Sequence, residues 1–95
     1  MLSPHDRDRK DALVKIEIFT NTHCTYCEQA KVLLRSKGVG FRELDVSREE
    51  VRDEFLQRLP RVRSLPQIFI KGKHIGGFED LQHLEKSGEL DKLLG

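Results

Sequence analysis

Apolar and polar residues alternate along Val14-Lys15-Ile16-Glu17-Ile18-Phe19, and the apolar ones are mostly β-branched, which predicts a strand. The period then lengthens. Ala30, Leu33 and Leu34 fall at i, i+3 and i+4 and Gly38 stops the run, so a helix is expected from Thr25 to Lys37, with Gly38-Val39-Gly40 as the turn out of it. Phe41 to Asp45 is a second short strand. Ser47 with Glu50 three residues later spells a capping box, opening a helix that carries Val51, Phe55 and Leu59 on one face and ends before Pro60. Arg61 to Leu65 is a loop, and Pro66 precedes a third strand, Gln67-Ile68-Phe69-Ile70. Lys71-Gly72-Lys73 is a tight turn that sends His74-Ile75 back as an antiparallel fourth strand. Gly76-Gly77 breaks it. A third helix begins near Glu79 or Asp80 with Leu81 and Leu84 inward, Ser87-Gly88 interrupts it, and Leu90, Leu93 and Leu94 form a last short helical piece.

Strand, helix, strand in this order is a right-handed parallel unit. With the hairpin that follows, the reading is an α/β domain of order β-α-β-α-β-β-α, a four-stranded mixed sheet between helices. It occupies residues 14–95. Residues 1–13 form a charged tail in which Ser3, Pro4 and Asp6 resemble a helix start, but Pro4 to Asp11 offers no apolar face to dock.

Ninety-five residues make one domain. The 17 Lys and Arg against 16 Asp and Glu leave a formal charge of +1, too even for nucleic-acid or membrane-surface binding through bulk charge. Phe41, Phe55 and Phe69 are core candidates and not an aromatic patch for nucleic acid. No apolar run reaches transmembrane length, and Met1 to Asp11 lacks the hydrophobic segment of a secretory signal. Two closely spaced cysteines are no disulfide framework, so a reducing, cytoplasmic setting is expected.

Those cysteines carry the candidate chemistry. Cys24-Thr25-Tyr26-Cys27 is a C-x-x-C spacing, which serves dithiol redox pairs, zinc sites and iron–sulfur clusters. A zinc site needs four ligands, and only His23 and His74 could be nominated beside the pair, so no metal is expected. Two inert buried thiols would be misplaced at the start of a helix. Cys24 sits where a strand hands over to a helix, near unpaired N–H groups that favour the thiolate, the reactive form of cysteine. At that junction the spacing points to redox chemistry. Farther on, the Gly76-Gly77 pair would allow close backbone approach by a peptide-like ligand. The helix start at Glu79 and Asp80, besides capping itself, would receive a carboxylate.

Three segments taken together resemble a dithiol glutaredoxin: Cys24-Thr25-Tyr26-Cys27, Arg63-Ser64-Leu65-Pro66-Gln67-Ile68-Phe69-Ile70, and Ile75-Gly76-Gly77-Phe78-Glu79-Asp80-Leu81. They match C-P-Y-C, R-T-V-P-x-x-F-I and I-G-G-x-x-D-L in order, over nearly the whole chain from Val14. The resemblance implies the thioredoxin fold and the reduction of glutathione mixed disulfides and protein disulfides, with glutathione as co-substrate. It implies that Cys24 is the nucleophile and Cys27 the resolving cysteine. Tyr26 would flank the glutathione site, Leu65 would offer its backbone to the cysteinyl part ahead of a cis Pro66, and Arg63 would help with the glycine carboxylate. Phe78 and Glu79 would hold the γ-glutamyl end, and Pro66 and Gly77 belong to the glutathione site with them. Thr25 stands where the family usually has proline, Asn21 where many members carry a lysine that meets the glutathione carboxylate, and Ser64-Leu65 where Thr-Val is usual. The expected partners are glutathione and disulfide-bonded or glutathionylated proteins, met by a monomer. The alternative is a [2Fe–2S] cluster held by Cys24 and glutathione between two chains; a third reading is an electron donor fed by a thioredoxin reductase.

Overall fold

Every side chain of strand β1 (Ile16–Thr20) is buried. Alternation predicts one wet face, but this strand lies inside a sheet covered on both sides. The computed structural model describes residues 14–95, so the expected tail 1–13, with its Ser3-Pro4-Asp6 helix start, lies outside the described residues. The sheet order is β2-β1-β3-β4. β2 (Arg42–Asp45) runs parallel to β1, β3 (Gln67–Ile70) antiparallel to it, and β4 (Lys73–Gly76) antiparallel to β3. Helices α1 (Thr25–Ser36), α3 (Phe78–Ser87) and the short α4 (Glu89–Leu94) cover one face, and α2 (Glu49–Arg58) covers the other.

The two faces hold two cores. Ile16, Ile18, Ile68 and Ile70 meet Ala30, Leu34, Leu81, Leu90 and Leu94 on the first. Phe19, Leu44 and Phe69 meet Val51, Phe55 and Leu59 on the second. Phe41, expected inside, is half-buried at the edge of the first core and precedes β2.

Several boundaries differ from the sequence reading, each for a local reason. β1 begins at Ile16, not Val14, and takes in Thr20. Lys37 closes α1 from the C-cap, outside the helix. Ser47 is not the N-cap of α2: that position is Arg48, with no side-chain cap, and Glu50 pairs with the Arg48 guanidinium at 2.8 Å. The cause is Asp45, whose carboxylate accepts the Ser47 N–H at 2.8 Å and whose carbonyl accepts that of Arg48 at 3.1 Å. A turn at the end of β2 thus uses the residues the capping box needed. α3 starts at Phe78, ahead of the expected Glu79 or Asp80, because Gly77 is its N-cap and the Asp80 carboxylate accepts the Gly77 N–H at 3.0 Å. β4 is one residue longer at each end than His74-Ile75. The hairpin before it has Lys71 at φ 55° and Gly72 at φ 81°, the two left-handed positions of a type I′ turn.

Helix α2 is fastened by a buried ion pair as well as by its apolar face. Glu17, only 3% exposed in the middle of β1, accepts from Arg58 at 2.9 and 3.3 Å. The same guanidinium reaches Glu54 and lies 5.4 Å from the Phe19 ring centroid and 5.1 Å from that of Phe69. Its hydrogen bond holds the Glu17 carboxyl below the usual range, against the opposing effect of burial. A depressed folded-state carboxyl stabilises the fold above its unfolded pKa, and that stabilisation is lost as pH falls through the folded value. Arg58→Met should therefore cost about 3–5 kcal/mol near neutral pH, since it strands a buried carboxylate. The deficit relative to wild type should shrink as acid neutralises Glu17. Urea unfolding of both proteins across pH 3 to 8 checks this; a deficit independent of pH would show that Glu17 is not the cause.

Candidate active site

β1 ends at Thr20, and four residues later the chain turns into α1. In that short loop the Asn21 side-chain oxygen accepts the Thr22 N–H at 2.8 Å, and His23 takes a left-handed φ of 58°. Cys24 is then the N-cap of α1, with extended backbone, and its Sγ accepts the N–H of Cys27 at 3.2 Å. A sulfur thus occupies the place where an oxygen of Ser or Asp usually satisfies a first-turn donor. Cys24 is half-buried and Cys27 fully buried; the two are joined in a disulfide, with Cα atoms 5.2 Å apart. Of the pair, only Cys24 presents itself to an incoming molecule.

Across from it lies the loop that leads into β3. Antiparallel pairing sets Phe19 opposite Gln67, so the end of β1 and the start of β3 share one edge of the sheet. The Leu65-Pro66 peptide is cis, and the Leu65 carbonyl oxygen lies 3.9 Å from Cys24 Sγ. Beside this contact runs an open groove of about 560 Å³. Its lining gathers Tyr26, Arg63, Leu65, Pro66, Gly77, Phe78 and Glu79, all expected site residues drawn from three separate segments. Cys24 borders it through Leu65. Asn21 is exposed and lies outside the lining.

The groove has an aromatic wall and a polar end. Tyr26, 58% exposed, stacks on Phe78 with centroids 6.0 Å apart, so a flat apolar surface faces solvent next to the cysteines. Beside this wall α3 begins, with Phe78 as its first residue. Its first N–H groups have no partner within the helix, and the Gly77 N–H is already held by Asp80. Arg61 and Arg63 line the groove together with Glu79 and Asp80, giving the lining charges of both signs. Of the glycine pair, Gly76 has a reason inside the fold itself, whereas Gly77 has ordinary room for a Cβ. Gly76 has φ 121°, and a Cβ there would sit 2.7 Å from Asp80 Cγ; one on Gly77 would meet the Pro66 carbonyl at 3.4 Å.

Glu28, next to the cysteine pair, would by itself disfavour a thiolate, but it does not stand alone. The buried Lys31 bonds Glu28 at 2.8 Å and Glu43 at 2.9 Å, and Thr20 donates to the same Glu43 oxygen. These bonds hold Lys31 protonated, Glu28 being the larger influence, and Lys31 in turn depresses the Glu43 carboxyl. Sequence reading did not single out Lys31. Nor did it pair Gln67, quoted only within a signature segment, with His74, nominated only as a zinc ligand; both line the groove and are bonded to each other at 2.7 Å. Its place on α1 one turn after Cys27 is the only signal for Lys31, and nothing local marks the other two as a pair. Among the described residues no three His, Cys, Asp or Glu side chains converge as metal ligands. Nor is any described helix long and apolar enough to cross a membrane.

Comparison with known proteins gives a consistent picture. The family model described as Glutaredoxin matches residues 16–75. Glutaredoxin 3 of Escherichia coli (strain K12) is 46% identical over 83 residues, covering 86% of this chain and 99% of that protein. The solution structure of glutaredoxin from Brucella melitensis superposes with a TM-score of 0.72 at 46% identity, over 85% of this chain and 88% of that one. The crystal structure of a buckwheat glutaredoxin–glutathione complex gives 0.75 at 26% identity, over 95% and 84%. The mixed sheet with its flanking helices is the thioredoxin fold in the form these structures share.

Gly76→Ala should combine backbone strain with a collision at Asp80 and lower stability by about 1–3 kcal/mol. Gly72→Ala, also at positive φ but with open space around its Cβ, isolates the strain. Denaturant midpoints should rank wild type above Gly72→Ala above Gly76→Ala; equal losses would show that the Asp80 contact carries nothing.

Proposed function

The chain belongs to the glutaredoxin family, and we propose that in that family's exchange reaction Cys24 is the attacking sulfur and Cys27 the resolving one. The protein is a glutathione-dependent thiol–disulfide oxidoreductase. What supports the division of roles is a single hydrogen bond: the first-turn N–H of Cys27 points at Cys24 Sγ from 3.2 Å. Once the pair is reduced, that donor and the start of α1 stabilise negative charge on Cys24, whereas Cys27 is sealed in the core.

The Cys24 thiolate attacks the glutathione sulfur of a mixed disulfide. A new S–S bond forms to Cys24, the old one breaks, and the substrate leaves as a thiolate that takes up a proton. A second glutathione thiolate then attacks the Cys24-bound glutathione sulfur, releasing oxidised glutathione and the Cys24 thiolate. For a protein disulfide, Cys27 instead attacks Cys24 and expels the reduced substrate, leaving the internal disulfide. Stabilising the Cys24 thiolate helps both halves, because it raises the attacking fraction and makes Cys24 a better leaving group.

In this reading glutathione lies along the groove. Its cysteinyl backbone pairs with Leu65 ahead of Pro66, and Tyr26 and Phe78 cover its apolar side. Its γ-glutamyl carboxylate lies against Gly77, whose own N–H is held by Asp80, and caps the N–H groups of Phe78 and Glu79. Arg63 attracts the glycine carboxylate from the rim, and Asn21, whose oxygen serves Thr22, offers its amide nitrogen there. The reading includes a cytosolic location and action as a monomer on glutathionylated and disulfide-bonded proteins.

Cys24→Ser should abolish reduction of a small glutathione mixed disulfide, while Cys27→Ser retains it, since one accessible thiolate suffices for that route. A glutathione-coupled assay with both variants decides; equal losses would overturn the assignment of roles. The Cys27→Ser protein should still fail on substrates that require the internal disulfide.

A further inference from the structure

The groove contains one polar chain that the exchange chemistry does not use. Gln67, 5% exposed, sits directly after the cis proline at the start of β3. Its amide nitrogen donates to the Ser64 carbonyl at 3.1 Å and to the Ser64 hydroxyl at 3.2 Å. Its amide oxygen is 2.7 Å from His74 Nε2. His74 stands on the edge strand β4, opposite Phe69 in register, with its ring 5.0 Å from the Phe69 ring.

The direction of every bond in this chain is fixed by one group. A backbone carbonyl can only accept, so the Gln67 NH₂ must face Ser64 and its oxygen must face the histidine. His74 therefore donates, and Nε2 carries a proton. A buried glutamine amide held at both ends cannot rotate, and the Ser64 backbone it grips is one residue from the Leu65 carbonyl beside Cys24. If His74 lost its donor, Gln67 Oε1 would be buried without a partner, and the amide would turn toward water and release Ser64.

We propose that His74 is a positioning residue: acting through Gln67, it holds the Ser64-Leu65 backbone in the conformation that receives glutathione, and so sets affinity for glutathione and not the chemistry at Cys24. This rests on the reading of Leu65 as the strand that meets glutathione. His74 itself is exposed, and its line of contacts to the Cys24 sulfur runs through three other residues, Gln67, Ser64 and Leu65.

The test compares His74→Phe, which keeps an aromatic ring against Phe69 but has no donor, with His74→Gln, whose amide can donate to Gln67. His74→Phe should raise KM for glutathione by about 5-fold, the size of one net hydrogen bond, with kcat within about 2-fold of wild type. His74→Gln should restore KM. An unchanged KM in His74→Phe, a loss that falls on kcat, or equal behaviour of the two variants overturns the proposal. A readout on the unmutated protein does not depend on either variant folding. Long-range ¹H–¹⁵N spectra of the imidazole above its titration should show the proton on Nε2 and a bare Nδ1, and the reverse tautomer overturns the proposal. Titrating oxidised wild-type protein with S-methylglutathione separates the two levels of the argument. If the Ser64 and Leu65 amides shift and His74→Phe keeps its KM, the role of His74 alone fails. If those amides do not shift, the assignment of the loop fails and the positioning role with it.

Discussion

The register of β1 against β3 is the constraint on which the site depends. Phe19 lies opposite Gln67, and because the two strands run antiparallel, the loop leaving one and the loop entering the other emerge at the same edge. Cys24 and Leu65 are 41 residues apart in sequence and in contact in space. A slip of one residue would turn Phe19 and Phe69 out of the α2-side core and would move Leu65 away from the cysteine loop. Packing and chemistry are therefore secured by the same pairing. The Arg58 guanidinium, set against both Phe19 and Phe69 and bonded to Glu17, ties α2 to the two strands whose register matters most.

Two helix N-termini meet at that edge and do different work. The start of α1 is occupied by Cys24, which caps its own helix with sulfur, so the helix's unsatisfied donor and the reactive atom are coupled without any further residue. The start of α3 is capped by the Asp80 side chain, whose carboxylate accepts the Gly77 N–H, and Gly76 beside it has a left-handed φ and no room for a Cβ against that carboxylate. The remaining first-turn donors of α3 belong to Phe78, Glu79 and Asp80, which line the groove. The nearby acidic residue Glu28 would work against a thiolate, and Lys31 offsets it from a buried position, itself held by Glu43, to whose carboxylate Thr20 also donates. Such an internal lysine is tolerable only because two carboxylates share it.

Comparison with the sequence is most instructive where the rules gave a plausible but wrong local answer. Ser47 and Glu50 have the spacing of a capping box, yet Asp45 takes the Ser47 N–H and the helix starts one residue later without a side-chain cap. Two local signals competed, and the turn closing β2 won because β2 is fixed by pairing with β1. The alternation in β1 would leave Glu17 wet. It is buried instead, since a strand inside a two-faced sheet has no wet side, and it remains charged because Arg58 arrives from 41 residues away.

What the sequence determined by itself was whatever depends on near neighbours: the period of each strand and helix, the hairpin at Lys71-Gly72, the glycine corner, and a cysteine at a strand-to-helix junction. The order of the three signature segments added the family, and through it the groove residues Tyr26, Arg63, Leu65, Phe78 and Glu79. The tertiary structure alone decided which distant polar groups satisfy one another. Glu17 with Arg58, Lys31 with Glu43, and the line from His74 through Gln67 to Ser64 leave no periodic trace in the chain. Each is a pairing demanded by burial, and a buried donor or acceptor must be satisfied by whatever the fold brings within about 3 Å.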